Sequence, residues 1–196
     1  TELLPLTSAH PRVPAARAGF SLLEIVIALA VIAMIVGVVA IRSGGVINKG
    51  KTSKVMQLVD TLKKASAQYH ADTNEMPWEY SAHTAANRRL SGTQTIAGWQ
   101  GPYLEAPLSS GMHPSGGTIH MYNTSVVNGN DGFDLDGDGT NDVTSNACTL
   151  YLSGITQADA QAIDNSFDKG IPGTWSATGR VRWNSTNSNL FVLVYF

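Results

Sequence analysis

Cysteine is almost absent from this sequence, since its 196 residues include only Cys148. A single thiol cannot close an internal disulfide, so packing and hydrogen bonds have to hold the fold together. Cysteine usage therefore neither indicates nor excludes an oxidising compartment. We expect Cys148 to be a small buried side chain.

Charge is also scarce. Only 14% of the residues are charged, with 13 Lys and Arg against 15 Asp and Glu, which gives a formal net charge of −2. This balance argues against a nucleic-acid coat, and we expect no specific nucleic-acid partner. No Ser-His-Asp set, Cys-His pair or phosphate-cradling glycine loop stands out. We therefore expect that the protein is not an enzyme.

The apolar residues that are present are distributed unevenly. Residues 20–41 are interrupted only by Ser21 and Glu24, and the run is long enough for a membrane-spanning helix. Residues 1–19 hold three prolines and two arginines without an apolar period, which is typical of a leader. The positions of Arg12 and Arg17 favour a cytoplasmic leader and export of the remainder.

A second apolar pattern follows the run and has helical spacing. Together the two segments predict one helix over residues 20–72, which ends near Pro77 because proline disfavours helix in the residue before it. Glycine weakens the middle of this helix. The residues of the amphipathic pattern are Val55, Leu58, Val59, Leu62, Ala65 and Tyr69.

Beyond Pro77 the periodic segments shorten to strand length. The last strand is apolar throughout, so we expect it inside a sheet rather than at its edge. The fold class is therefore α+β, with a long N-terminal helix packed on a C-terminal antiparallel sheet. The predicted domains are a leader at 1–19, a membrane and filament-core helix at 20–50, and a globular head at 51–196. The predicted strands are 118–123, 148–153, 180–184 and 190–196, with a short helix at 156–168.

The start of the apolar run carries a specific motif. Gly19 precedes the aromatic Phe20, Glu24 follows four residues later, and residues 25–41 supply 17 uncharged positions. This arrangement resembles the processing motif of type IV prepilins and type II secretion pseudopilins. The resemblance implies that a prepilin peptidase cuts after Gly19 and methylates Phe20, and that the chain then forms a helical homopolymer.

A second resemblance covers the region after the helix. The segment from Tyr69 to Pro77 and the Gly-Trp-Gln-Gly-Pro-Tyr-Leu sequence at 98–104 are similar to the major pseudopilin. The Asp-rich loop, the short helix and the further strands instead look like a pilus subunit with an elaborated head. We therefore favour a structural subunit of a type IV pilus-like filament over the major pseudopilin of a type II secretion system.

Glu24 requires an explanation, because a carboxylate inside a membrane helix costs about 2.5 to 3.5 kcal/mol. The resemblance implies a partner for it, since cleavage gives Phe20 a positive amine that can pair with Glu24 of a neighbouring subunit. The alternative is a carboxylate that stays neutral or reaches the lipid headgroups.

Residues 131–142 place five carboxylates within twelve positions and include no cation. With Asp134 at position one, the spacing is that of an EF-hand type calcium loop, although Ser145 stands where the bidentate glutamate would be. We expect a structural calcium ion, and the alternative is a solvated acidic turn. The predicted ligands are Asp134, Asp136, Asp138, Thr140 through its backbone carbonyl, and Asp142.

Two histidines, His113 and His120, are expected at the surface rather than at a metal. The resemblance implies several partners: further copies of the chain, a prepilin peptidase, an inner-membrane assembly platform, and the lipid bilayer before assembly. It implies a precursor in the inner membrane and then an extracellular or periplasm-spanning filament. A different class of function also fits, a monomeric membrane-anchored module that binds a ligand through calcium.

Overall fold

The computed structural model describes residues 22–81, 84–127 and 129–196. The predicted leader at 1–19 and the processing residues Gly19 and Phe20 lie outside the described residues. The chain divides into two compact units between Ser43 and Gly44.

Helix α1 covers Leu22–Thr73, which confirms the long N-terminal helix over its described part. It ends where the sequence indicates. Asn74 adopts a left-handed conformation with φ of 57°, and its N–H donates to the carbonyl of His70 at 2.8 Å. A left-handed residue just after the last turn is a common helix stop, and asparagine tolerates it better than most residues.

The first turns of α1 expose apolar side chains. Leu22 is 82% exposed, Leu23 68% and Met34 74%. Within the part of the chain that the structure describes, no helix combines the length and apolarity needed to cross a membrane. The predicted span at 20–50 also includes residues outside that part, and it stays a prediction.

The second unit contains an antiparallel sheet and a short helix, which confirms the α+β class. The sheet has five strands in the order β1-β2-β5-β7-β6, and β3 pairs with β4 in a separate two-stranded ribbon. Because β7 lies between β5 and β6, the expectation of an internal last strand is confirmed. The bounds are β1 Glu79–Tyr80, β2 Ile119–Tyr122, β3 Val126–Val127, β4 Asn130–Asp131, β5 Cys148–Leu152, α2 Gln157–Phe167, β6 Val181–Asn184 and β7 Asn189–Tyr195.

The main core lies between the amphipathic part of α1 and one face of the sheet. On β2 the buried residues Ile119 and Met121 alternate with half-buried ones, which is the period-two pattern of a strand with one face covered. Cys148 is buried at the start of β5, as expected. From α1 the core takes Val55, Val59, Leu62, Ala65 and Tyr69.

A smaller second core covers part of the opposite face. Leu193 belongs to this cluster, whereas its neighbours Val192 and Val194 belong to the main core. Successive strand residues point to opposite faces, so Leu193 faces the segment that carries the ribbon and the Asp-rich loop. Phe133 from that segment is fully buried against it. Phe133 and Val143, at the two ends of the Asp-rich loop, therefore attach the loop to the sheet through this cluster.

The expectation of a surface position is wrong for His113, which is only 2% exposed. Its Nδ1 accepts the N–H groups of Ser115 at 3.0 Å and Gly117 at 2.9 Å, so the ring proton lies on Nε2. Burial, together with the nearby charge of Lys54, lowers the pKa of His113. The ring is therefore neutral, and its two hydrogen bonds stabilise the loop that follows it. His120 lies half-buried in β2, where its Nδ1 accepts the N–H of Ser81.

Candidate functional site

The Asp-rich loop brings three carboxylates together. One oxygen each from Asp134, Asp136 and Asp138 can be chosen so that all lie within 4.8 Å of one another. Asp134 is 5% exposed, whereas the other two point towards solvent. The loop is closed by an antiparallel bridge between Phe133 and Val143, whose N–H and carbonyl groups bond at 3.0 and 3.1 Å.

Asp134 organises the loop backbone. Its carboxylate accepts the N–H of Gly137 at 2.7 Å and that of Gly139 at 3.0 Å. Burial acts to raise the pKa of Asp134, but these backbone hydrogen bonds outweigh it and lower the pKa. The carboxylate is therefore held in its charged form. Gly137 has φ of 80° and Gly139 has φ of 92°, a conformation that favours glycine.

The other two predicted ligands lie elsewhere in the loop. Asp142 is outside the group of three, and its Oδ2 accepts the N–H of Leu135 at 2.7 Å. Thr140 is exposed and donates its N–H to Asp138 at 2.7 Å. The structure thus brings together three of the five predicted ligands, while Asp142 ties one end of the loop to the other. The ligand set stays a prediction.

A cation that the sequence pattern did not reveal lies beneath the loop. Arg182 of β6 is 4% exposed, its guanidinium carbon lies 5.3 Å from the centroid of the Phe133 ring, and its Nη2 donates to Asn141 at 3.2 Å. Burial lowers the pKa of Arg182, and the charge of Asp134 partly restores it. One positive charge therefore offsets part of the repulsion among the carboxylates. No local signal could have identified it, because Arg182 is distant from the loop in sequence.

Glu24 lies in the first turn of α1 and is exposed among exposed apolar side chains. Residues 14–40, which include it, match the family model for the prokaryotic N-terminal methylation motif. Residues 46–132 match the model described as PilW, C-terminal. The chain is a type IV pilin-like protein. The motif of this pilin-like protein implies processing by prepilin peptidase, a membrane-anchored precursor and pilus assembly.

No curated protein and no solved structure matches the pilin-like chain significantly. The PilW match ends at residue 132, before the first carboxylate of the three-residue group. The three carboxylates of this group therefore lie outside both family matches.

Proposed function

We propose that this pilin-like protein is a structural, non-enzymatic subunit of a type IV pilus-like filament and polymerises through α1. The single observation that supports this most is the exposed apolar surface at the start of α1, where Leu22 is 82% exposed. A continuous apolar surface of this kind has to be covered by another partner. In the proposal, lipid covers it before assembly and neighbouring α1 helices cover it in the filament.

The proposal gives Glu24 and Phe20 complementary roles. Cleavage after Gly19 creates a cationic amine on Phe20, and methylation leaves it charged. Inside a helical bundle, this amine pairs with Glu24 of the next copy, because a buried carboxylate needs a compensating charge. Only a processed chain supplies that amine, so processing and assembly are coupled. The inner-membrane assembly platform is the proposed partner that adds each subunit.

Cell fractionation tests this role. Filaments sheared from cells should contain the protein as their predominant component, which is the composition of a homopolymer. The PilW match favours a pilus subunit over the major pseudopilin of a type II secretion system. Loss of a major pseudopilin would stop protein export and leave surface filaments intact. Recovery of all the protein in the membrane fraction would contradict filament assembly. It would instead favour the monomeric membrane-anchored binding module.

We also propose that the Asp-rich loop holds a structural calcium ion through Asp134, Asp136 and Asp138. Three carboxylate oxygens within 4.8 Å of one another are spaced closely enough to share one cation, and calcium prefers oxygen ligands in flexible geometries. The single charge of Arg182 leaves the cluster with a net negative charge. Calcium would neutralise that charge and fix the loop on the sheet. Thr140 and Asp142 would have to move or act through water to join the ligand set.

A further inference from the structure

A second acidic pair lies at the end of α2, away from the Asp-rich loop in sequence. Asp164 is in the last turns of the helix and Asp168 is its C-terminal cap, and each is 7% exposed. In both residues Oδ1 is buried and has no hydrogen-bond partner among the described residues. The C-terminal end of a helix carries partial negative charge, and the last turn of α2 contains no basic residue. Two buried carboxylates therefore lie where a helix favours a cation.

The surroundings fix one of these carboxylates by hydrogen bonds but give neither of them a direct ion pair. Oδ2 of Asp168 accepts the N–H groups of Arg180 and Val181, both at 2.8 Å. The Arg180 guanidinium donates instead to the carbonyl of Leu193 at 2.9 Å, although its charge still acts on Asp168. The ion pairs among the described residues are Lys51 with Asp159 and Lys64 with Asp60. Neither pair involves Asp164 or Asp168, so no lysine or arginine nitrogen of the described residues lies within 4.0 Å of these carboxylates.

Both carboxylates line a cavity of about 140 Å³, which the loop after α2 surrounds. A water molecule occupies roughly 30 Å³ in the liquid, so the cavity has room for a small cation and a few waters. Its lining also includes Trp175, the exposed Lys169 and Thr178, whose hydroxyl donates to the carbonyl of Thr174 at 3.1 Å and keeps its oxygen lone pairs for a cation.

Burial and the charge of Asp168 raise the pKa of Asp164 to about 6. Burial also raises the pKa of Asp168, but the N–H groups of Arg180 and Val181 and the charge of Arg180 act against it. Burial therefore opposes the ionised form of both carboxylates, and a cation in the cavity would favour it.

We propose that this cavity is a second cation site, which binds a divalent ion of the calcium class through Oδ1 of Asp164 and Oδ1 of Asp168. Water and the Thr178 hydroxyl complete an all-oxygen ligand set, and calcium accepts such sets with several waters. Asp168 also accepts the N–H of Val181 at the start of β6. An ion bound to Asp168 would therefore stabilise the contact between α2 and the sheet. Its two carboxylate ligands are different from those proposed for the Asp-rich loop.

The test uses the full chain in detergent, with the proposed ion site of the Asp-rich loop first disabled by substitution of one of its ligands. In an Asp136→Asn background, equilibrium dialysis with radioactive calcium should show one bound ion per chain. Adding Asp164→Asn should abolish that binding, whereas adding Asp60→Asn, which removes an exposed carboxylate on α1, should not. If the Asp136→Asn chain binds no calcium, or if Asp164→Asn leaves binding unchanged, the proposal is overturned. Neither result bears on filament assembly.

A second measurement covers the case in which Asp164→Asn fails to fold. Terbium replaces calcium at oxygen sites, and a nearby tryptophan sensitises its emission. In the Asp136→Asn background, Trp175→Phe should lower the sensitised terbium emission by at least half, while the two carboxylates and calcium binding remain. Unchanged emission after Trp175→Phe would place the ion elsewhere and contradict the proposed site.

Discussion

Replacing Glu24 with alanine should reduce incorporation of the protein into filaments by at least tenfold while the precursor still reaches the membrane. The monomer loses only a carboxylate that costs about 2.5 to 3.5 kcal/mol to insert, so insertion becomes easier. In the filament, the Phe20 amine of a neighbour is left without its proposed partner. Removing one member of a buried ion pair costs about 3 to 5 kcal/mol, and about 1.4 kcal/mol corresponds to a factor of ten.

The measurement is quantitative immunoblotting of sheared filaments and of membranes from the same cells. Glu24→Gln should behave like Glu24→Ala, because it keeps the shape of the side chain but removes its charge. Asp60→Asn is the matched control, since its carboxylate is 62% exposed and pairs with Lys64 on the surface of α1. Normal filament yield from both Glu24 variants would show that the charge is dispensable.

Calcium should raise the melting temperature of the full chain in detergent, and Asp136→Asn should reduce that rise. An ion that binds only the folded chain stabilises it by about 2.7 kcal/mol at 100 times its dissociation constant. For a chain of this size, that corresponds to a shift of roughly 5 to 10 °C. Tryptophan fluorescence is a suitable signal, because Trp78, Trp99, Trp175 and Trp183 all belong to the second unit.

The design separates the two proposed cation sites. Any calcium-dependent shift that remains in Asp136→Asn should disappear when Asp164→Asn is added. Asp60→Asn should keep the full shift. If the melting temperature of the wild-type chain is the same in calcium and in chelator, the Asp-rich loop is an acidic turn without an ion. A full wild-type shift in Asp136→Asn would remove that residue from the ligand set.

The elements that the sequence could predict are those with a long period or a clear boundary residue. The spacing of Val55, Val59 and Leu62 identified the buried face of α1. Thr156 marked the start of α2, and its side chain accepts the N–H of Asp159 there. Strand β1 was missed because two residues carry no period. Its assignment depends on pairing with β2, where Glu79 lies opposite Met121.

In the candidate site, too, the sequence predicts the residues that lie close together along the chain, but not those that only the fold brings together. The spacing of Asp134, Asp136 and Asp138 could be read directly, because the loop folds on its own backbone. Arg182 could not be assigned to that loop, since only the sheet brings β6 beneath it. Asp164 and Asp168 look like ordinary polar positions on a surface helix. Their burial depends on the loop that follows α2, which no helical pattern reveals.

The N-terminal residue of the protein in purified filaments tests the central claim most directly. Shearing and washing the filaments, followed by intact-mass and terminal peptide analysis, identifies that residue and its modification. We predict a chain that begins at Phe20 with one methyl group on its amine, because pairing with Glu24 requires a free cationic terminus inside the helical bundle. Filament protein that still carries residues before Phe20, or purified filaments that lack the chain, would contradict processing-dependent assembly through α1.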